Sequence, residues 1–222
     1  MLPTLLFSCS QPFNDMKKEL VNERDGYKIY VVDGNHVRDN IDCEFTNFGQ
    51  HGRFHFIPRN EIWLDEEHGR GEREPFVAHA IKEAEEMNNG KSYKEAYECG
   101  LSEENKYREK TKQNIYKSIL TSVGNVKVWL VDGKSVRNYY DKNFVQGGHS
   151  KVYSFIPKGE VWIDDDLSEQ ERKPVIIHEL NELGLMRKGI PYIKAHGKSN
   201  IKENRFRKLF KKNKYPALKI TQ

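Results

Sequence analysis

The residues best suited to chemistry stand together in one short stretch, His178-Glu179-Leu-Asn-Glu182. Side chains four positions apart on a helix lie one above the other on the same face, so His178 and Glu182 could bind one metal ion. Glu179 is adjacent to His178, where a carboxylate can act as a general base. The spacing indicates a metal-dependent hydrolytic site in which one helix supplies two ligands and the base.

A divalent metal site needs about three nitrogen or oxygen ligands and one position open to water. The next predicted helix carries polar residues that share one face: His196, Asn200, Glu203 and Arg207. If the two helices are antiparallel neighbours, this face meets the first pair of ligands. A further candidate, His149, lies just before a predicted strand. The expected ligands of zinc, or of another divalent transition metal, are therefore His178, Glu182 and His196, with Glu203 or His149 as an alternative.

This stretch resembles the zincin metallohydrolases, whose helix carries the motif His-Glu-x-x-His. Here Glu182 stands in place of the second histidine. In the gluzincin branch the third ligand is a Glu on a later helix, and the later helix of this chain has both His196 and Glu203. Two histidines and one glutamate are thus available with their positions exchanged. The resemblance covers about thirty residues and implies a hydrolase, with peptidases among the candidates and Glu179 as the base.

The same pattern occurs twice in the chain. His79 lies ninety-nine positions before His178, and Glu83 lies ninety-nine positions before Glu182. The offset continues without a gap from residue 27 to residue 108, and about a third of the aligned positions are identical. A period of this length indicates a tandem duplication of a small domain. The repeated pattern resembles a small uncharacterised domain of bacterial and phage proteins that has no assigned activity.

Each repeat has β-like segments in its first half and helical patterns in its second half. We predict an α+β fold with two tandem homologous domains, each a small antiparallel sheet followed by two helices. In the second repeat, Ser168 is the expected N-cap of a helix that ends at Gly189, and Pro191 suits the start of the next helix. The predicted divisions are an N-terminal arm (1–26), a first repeat (27–110), a linker (111–125), a second repeat (126–212) and a C-terminal tail (213–222).

Polar residues beside one predicted turn recur in both repeats. Asp33-Gly34 and Asp132-Gly133 follow predicted strands and can close a hairpin. Arg38 and Arg137 follow shortly after them. These residues could line a site, but residues beside a turn more often form local turn hydrogen bonds or a salt bridge, which is the role we expect.

The two repeats differ at the residues that a catalytic metal site would use. The first keeps the set His79, Glu83, Glu104 and Arg108, but where the second has Glu179, His149 and His196 it has Ala80, Gln50 and Tyr97. Two interpretations stay open. In one, the second repeat is a metal enzyme and the first has become a scaffold. In the other, the shared residues form a buried hydrogen-bonded network that joins two helices without metal.

Composition limits the class of protein and its surroundings. The 222 residues are 32% charged and 36% hydrophobic, which permits a packed core and argues against wholesale disorder. No apolar run is long enough to suggest a membrane span. The cysteine count of three disfavours a disulfide framework and favours a reducing, cytoplasmic location.

The charge pattern leaves room for a macromolecular partner. The net charge of +4 permits an anionic partner without requiring one. Basic and aromatic residues alternate from Arg205 to Lys214, a pattern that could grip a nucleic-acid backbone but is also typical of a solvated helix end. The alternative to an enzyme is therefore a non-catalytic interaction protein that binds a protein or nucleic-acid partner. If the chain is an enzyme, its substrate stays open.

Overall fold

The computed structural model describes residues 16–108 and 114–211, and each repeat in it contains one four-stranded sheet. The first repeat has its strands and helices in the following order: Lys18–Arg24 (β1), Tyr27–Val32 (β2), Gly34–Asn40 (α1), Phe48–Gln50 (β3), Glu61–Asp65 (β4), Arg73–Asn88 (α2) and Tyr93–Glu104 (α3). The second repeat follows the same order: Tyr116–Val123 (β5), Val126–Val131 (β6), Gly133–Tyr139 (α4), Gly147–His149 (β7), Glu160–Asp164 (β8), Glu169–Arg187 (α5) and Tyr192–Lys211 (α6).

The predicted α+β architecture of two similar units is confirmed, and two long helices follow each sheet. The sheet itself is mixed, whereas we expected an antiparallel one. Its strand order is β1-β2-β4-β3 in the first repeat and β5-β6-β8-β7 in the second. β2 runs parallel to β4, and β6 to β8, because the chain between them crosses over through a short helix. The outer pairs of strands are antiparallel.

The first strand of each sheet lies outside the repeat boundaries that the sequence suggests. β1 belongs to the segment expected to be an arm, and β5 to the segment expected to be a linker. Both strands are largely exposed, so they lack the regular apolar alternation that identifies a half-buried strand. Residues 1–15 of the predicted arm, residues 111–113 of the linker and the tail at 213–222 lie outside the described residues.

The two Asp-Gly signals begin helices and do not close hairpins. Asp33 Oδ1 accepts a hydrogen bond from His36 N at 2.9 Å and caps α1. Asp132 caps α4 in the same way. The local side-chain hydrogen bond that we expected of each aspartate is therefore present, but it caps a helix and does not belong to a hairpin turn. The hairpins are instead formed by β1 with β2 and by β5 with β6, and their turns contain Gly26 and Gly124, which have positive φ angles.

Helix limits in the second repeat agree with the sequence prediction. Ser168 accepts a hydrogen bond from Glu171 N and caps α5. Gly189, with a φ of +84°, follows the end of α5, and Pro191 directly precedes α6. Because the connection is this short, α5 and α6 pack side by side in opposite directions.

Alternating apolar residues give each sheet two buried faces. In β2, Ile29 and Val31 belong to the core under α2, whereas Val32 packs with Trp63 on the opposite face. The second repeat divides its core in the same way, with Val175 and its helix α5 on one face. The first long helix of each repeat is therefore fixed on its sheet along one side. Its other side is left to face the second long helix.

Two reciprocal pairs of buried ions join the repeats. Arg38 of the first repeat donates from Nε to Glu171 Oε2 of the second at 3.1 Å. Arg137 of the second repeat donates from Nε to Glu72 Oε1 of the first at 2.9 Å. Each arginine also pairs with the buried aspartate that ends the central strand of its own sheet, Asp65 or Asp164. Because an unpaired buried charge is strongly destabilising, these contacts fix how the two repeats meet.

Removal of one of these arginines is expected to destabilise the whole chain. Arg137→Met should lower the free energy of unfolding by about 3 kcal/mol, because Glu72 and Asp164 lose a buried cation. Lys134→Ala, an exposed change in the same helix, is the control and should stay within about 0.5 kcal/mol of wild type. Urea denaturation followed by tryptophan fluorescence measures both. A loss below about 1 kcal/mol for Arg137→Met would contradict the role given to these pairs.

His68 is a buried histidine of the first repeat that sits where the second repeat has the buried residue Leu167. Burial and the positive charge of Arg38 lower the pKa of His68 to about 3, although Asp65 acts in the opposite direction. The pKa of an unfolded histidine is about 6.5. Below that pH the unfolded chain binds a proton that the folded chain does not, so the folded state loses stability as the pH falls.

The substitution His68→Leu, which copies the second repeat, is expected to remove this pH dependence. Between pH 7.5 and pH 5.0, wild type should lose about 2 kcal/mol more unfolding free energy than the variant. Urea denaturation at the two pH values measures the difference, and acidic residues common to both proteins cancel in the comparison. Equal losses in the two proteins would show that His68 does not stay neutral in the folded state.

Candidate metal centre

Helices α5 and α6 bring three predicted ligands together. His178 and Glu182 lie one turn apart on α5, and His196 faces them from the first turns of α6. His178 Nε2 is 3.1 Å from His196 Nδ1 and 3.4 Å from Glu182 Oε2. His196 Nδ1 is 2.8 Å from the same Glu182 oxygen. These three atoms form a compact triangle, which we call the ligand triangle, and they are close enough to hold one metal ion.

Glu203 lies behind His178 and not at the ligand triangle. His178 Nδ1 is 2.9 Å from Glu203 Oε2, and Arg207 Nε donates to Glu203 Oε1 at 3.0 Å. Arg207 also donates to Glu171 Oε1 at 2.7 Å, which connects this group to the interface between the repeats. A carboxylate in this position accepts the Nδ1 proton and leaves the Nε2 lone pair directed at the ligand triangle. Glu203 is thus placed to orient a ligand.

His149 approaches Glu182 from strand β7, as the sequence prediction of an approach from the sheet requires. Its Nε2 is 3.0 Å from Glu182 Oε1, and both residues also lie close to Glu179. Lys151 N donates to His149 Nδ1 at 3.2 Å, so a neutral ring carries its proton on Nε2. This tautomer presents a proton and not a lone pair to Glu182. The geometry therefore favours His149 as a residue that positions Glu182.

One functional candidate that sequence reasoning missed comes from the first repeat. Glu44 Oε1 is 3.1 Å from His196 Nε2, and Asn200 Nδ2 donates to the same oxygen. Glu44 therefore holds the outer nitrogen of His196 and leaves Nδ1 facing the ligand triangle. Glu44 is 152 positions away in the chain and lies in the other repeat. No local spacing could have indicated it, because the contact depends on how the repeats dock.

A cavity of about 90 Å³ opens between the repeats beside the ligand triangle. Its walls include His178, Glu179 and His196 from the second repeat and Glu44 and Arg53 from the first. Glu179 keeps some exposure as a residue, but its carboxyl group is desolvated, and this burial raises its pKa to about 7. A carboxyl group with this pKa at a cavity wall can exchange a proton near neutral pH.

The carboxylates around the ligand triangle favour positive charge at the two histidines. Burial opposes protonation of His178, but its hydrogen bonds with Glu182 and Glu203 outweigh this effect and raise its pKa to about 10. Hydrogen bonds with Glu182 and Glu44 raise the pKa of His196 to about 9. Burial also opposes ionisation of Glu182, yet its histidine partners lower its pKa. A site that attracts protons in this way also attracts a divalent cation, which competes with them.

The equivalent place in the first repeat keeps the surrounding network and the equivalents of two ligands, His79 and Glu83, but it lacks the third ligand. His79 Nδ1 is 2.6 Å from Glu104 Oε2, and Arg108 Nε donates to Glu104 Oε1 at 2.6 Å. Tyr97 replaces the histidine of the second long helix, and its hydroxyl donates to Asn143 Oδ1 at 2.5 Å. The buried network can therefore form without a metal ligand set. The two repeats differ at the positions that face their cavities.

The basic segment considered for nucleic-acid binding is only partly exposed. In the basic segment proposed for nucleic acid, Arg207 and Phe206 are buried, whereas Arg205 and Lys208 are exposed. Residues 212–214 of that segment lie outside the described residues. The inward position of Arg207 removes one charge from the expected basic surface. Among the helices that the structure describes, none is long and apolar enough to span a membrane.

Comparisons with known proteins do not relate the chain to a family. No protein-family model matches it, and no curated protein or solved structure gives a significant match. The geometry of the site is therefore the basis for its function.

Proposed function

We propose that the second repeat is a metal-dependent hydrolase. His178 Nε2, Glu182 Oε2 and His196 Nδ1 would bind zinc or another divalent transition metal, and the general base would be Glu179. The observation that carries this proposal is the separation of the three ligand atoms, which is 2.8–3.4 Å. Ligand atoms about 2.0–2.1 Å from a tetrahedral zinc ion lie about 3.3–3.4 Å apart, so a small outward adjustment of the side chains would admit the ion.

The far nitrogens of the two histidines support the same assignment. Histidine ligands usually donate their second ring N–H to a carboxylate, a carbonyl or water, which fixes the tautomer that binds metal. His178 has Glu203 in this position, and His196 has Glu44. Because Glu44 belongs to the first repeat, the proposed centre is complete only when the two repeats are docked.

The cavity wall supplies groups suited to hydrolysis. A bound divalent ion would act as a Lewis acid and would make water in its coordination shell more acidic. Glu179 would accept the proton at its carboxylate, for which a pKa of about 7 is well matched near neutral pH. Gln146 has a buried, unpartnered side-chain nitrogen at the same wall, and this amide would donate to an oxygen on which negative charge develops. These groups fit the hydrolysis of an ester or amide.

Metal content is the first property to measure. Protein purified without a metal-affinity tag should contain about one equivalent of zinc or another divalent transition metal, and His178→Ala should contain less than about a tenth of this. His79→Ala is the matched control, because it removes the equivalent histidine of the first repeat, and it should keep the full content. Elemental mass spectrometry measures all three proteins. Metal that persists in His178→Ala, or no metal in wild type after reconstitution with zinc, would contradict the proposal.

If Glu179 is the general base and not a ligand, its replacement should stop turnover without releasing the metal. Glu179→Gln should keep its metal while hydrolysis of p-nitrophenyl esters or fluorogenic peptides, whichever wild type cleaves, falls by about 10²–10⁴-fold. Glu169→Gln, an exposed change on the same helix, is the control and should keep wild-type activity. Loss of the metal along with activity would make Glu179 a ligand and not the base, and unchanged turnover would exclude both roles.

A further inference from the structure

A second cavity, lined mainly by the first repeat and in part by the second, contains none of the three proposed metal ligands. Its volume is about 130 Å³, several times the space that one water molecule requires. It lies at the place equivalent to the cavity beside the ligand triangle. The residues His79, Tyr97 and Glu104 line it, and their equivalents line the other cavity, namely His178, His196 and Glu203. The two cavities therefore occupy equivalent positions of the fold. They share Thr46 and Arg53 but differ in most of their other wall residues.

Three buried polar atoms on this wall have no hydrogen-bond partner. They are Thr46 Oγ1, Asn47 Nδ2 and His79 Nε2. The exposed fractions of these residues are only 6%, 4% and 1%, so the three atoms meet little bulk solvent. Buried polar atoms in folded proteins almost always have partners. Three such atoms on one wall indicate a molecule that accepts hydrogen bonds from them.

The state of His79 makes it a donor toward this molecule. Its Nδ1 is held by Glu104, and its nearest acidic neighbour on the other side is Glu83, with Oε2 3.5 Å from Nε2. Burial opposes protonation of His79, but the hydrogen bond with Glu104 and the negative charge of the nearby Glu83 raise its pKa. A protonated ring carries hydrogen on both nitrogens and can donate from Nε2.

The charge on the cavity wall favours an anion. Arg53 and Lys142 line the cavity, and neither forms an ion pair with another described residue. The guanidinium of Arg53 lies over the ring of Phe54, 5.0 Å from its centroid. The carboxylate on the wall, Glu104, is already engaged by two cationic partners, His79 and Arg108. Arg53 is exposed and Lys142 is half-buried, so their positive charge is available to a bound anion.

The remaining wall is apolar and aromatic. Phe48 and Phe76 stack with their ring centroids 5.0 Å apart, and Leu101 lies on the same wall. The second repeat has much smaller or polar residues at these three positions, namely Gly147, Val175 and Asn200. The first cavity therefore combines buried donors and free cations with a surface suited to a hydrocarbon or aromatic group.

We propose that the cavity of the first repeat binds a small organic carboxylate with an apolar or aromatic body. Its carboxylate accepts hydrogen bonds from Thr46, Asn47 and His79, and Arg53 and Lys142 supply the compensating positive charge. Its body packs on the aromatic wall. This assignment does not depend on the proposed metal centre, because none of the three proposed metal ligands lines this cavity.

Benzoate is the probe for this site, and isothermal titration calorimetry with the full chain measures its binding. One saturable site is expected, and benzyl alcohol, which has the same ring without the charge, should bind at least about tenfold more weakly. Thr46→Val removes one donor while it keeps the side-chain shape, and it should weaken benzoate binding about tenfold. The hydroxyl has no partner in the protein, so this variant should fold like wild type.

Control proteins decide where the anion binds. Lys158→Ala removes an exposed lysine outside the cavity and should change benzoate affinity by less than about twofold. Because Thr46 lines both cavities, His178→Ala decides between them: benzoate binding that disappears in His178→Ala would place benzoate on the metal centre and overturn the proposal. Absence of saturable binding would overturn it as well. Tighter binding of inorganic phosphate than of benzoate would replace the organic carboxylate by an inorganic anion.

Discussion

A continuous chain of buried charges links the interface between the repeats to the proposed metal centre. Arg38 of the first repeat pairs with Glu171 of the second, and Glu171 pairs with Arg207. Arg207 then holds Glu203, and Glu203 holds His178. Every member is buried, so each charge depends on its neighbours in the chain for stabilisation. The orientation of His178 therefore depends on docking of the other repeat.

An equivalent chain of charges begins at Arg137 of the second repeat and continues through four residues of the first, namely Glu72, Arg108, Glu104 and His79. The chain of charges ends beside a cavity in both repeats. The two repeats therefore share one framework with a cavity at the equivalent place, and they differ in the residues at the cavity walls. One cavity lies beside the ligand triangle, and the other has an aromatic wall with Arg53 and Lys142 at its lining.

Local spacing accounts for what the sequence could predict. The helical separation of His178 and Glu182, and the short connection to the helix that carries His196, were enough to bring three ligand atoms together. Contacts between the repeats could not be predicted, because Glu44 reaches His196 only after docking. The role of Glu203 also required the structure, since spacing alone does not say whether a carboxylate faces the ligand triangle or lies behind a histidine. The parallel central strands were missed because their pairing depends on a crossover and not on local pattern.

The central claim is that one repeat binds a metal ion while its duplicate keeps the framework without one. Anomalous diffraction from crystals of the protein, recorded above and below the zinc absorption edge, tests it directly. The account predicts one peak within bonding distance of His178 Nε2, Glu182 Oε2 and His196 Nδ1, and no peak beside His79. A peak at both histidine sites, or well-ordered side chains of the ligand triangle without a peak in crystals soaked with zinc, would contradict it.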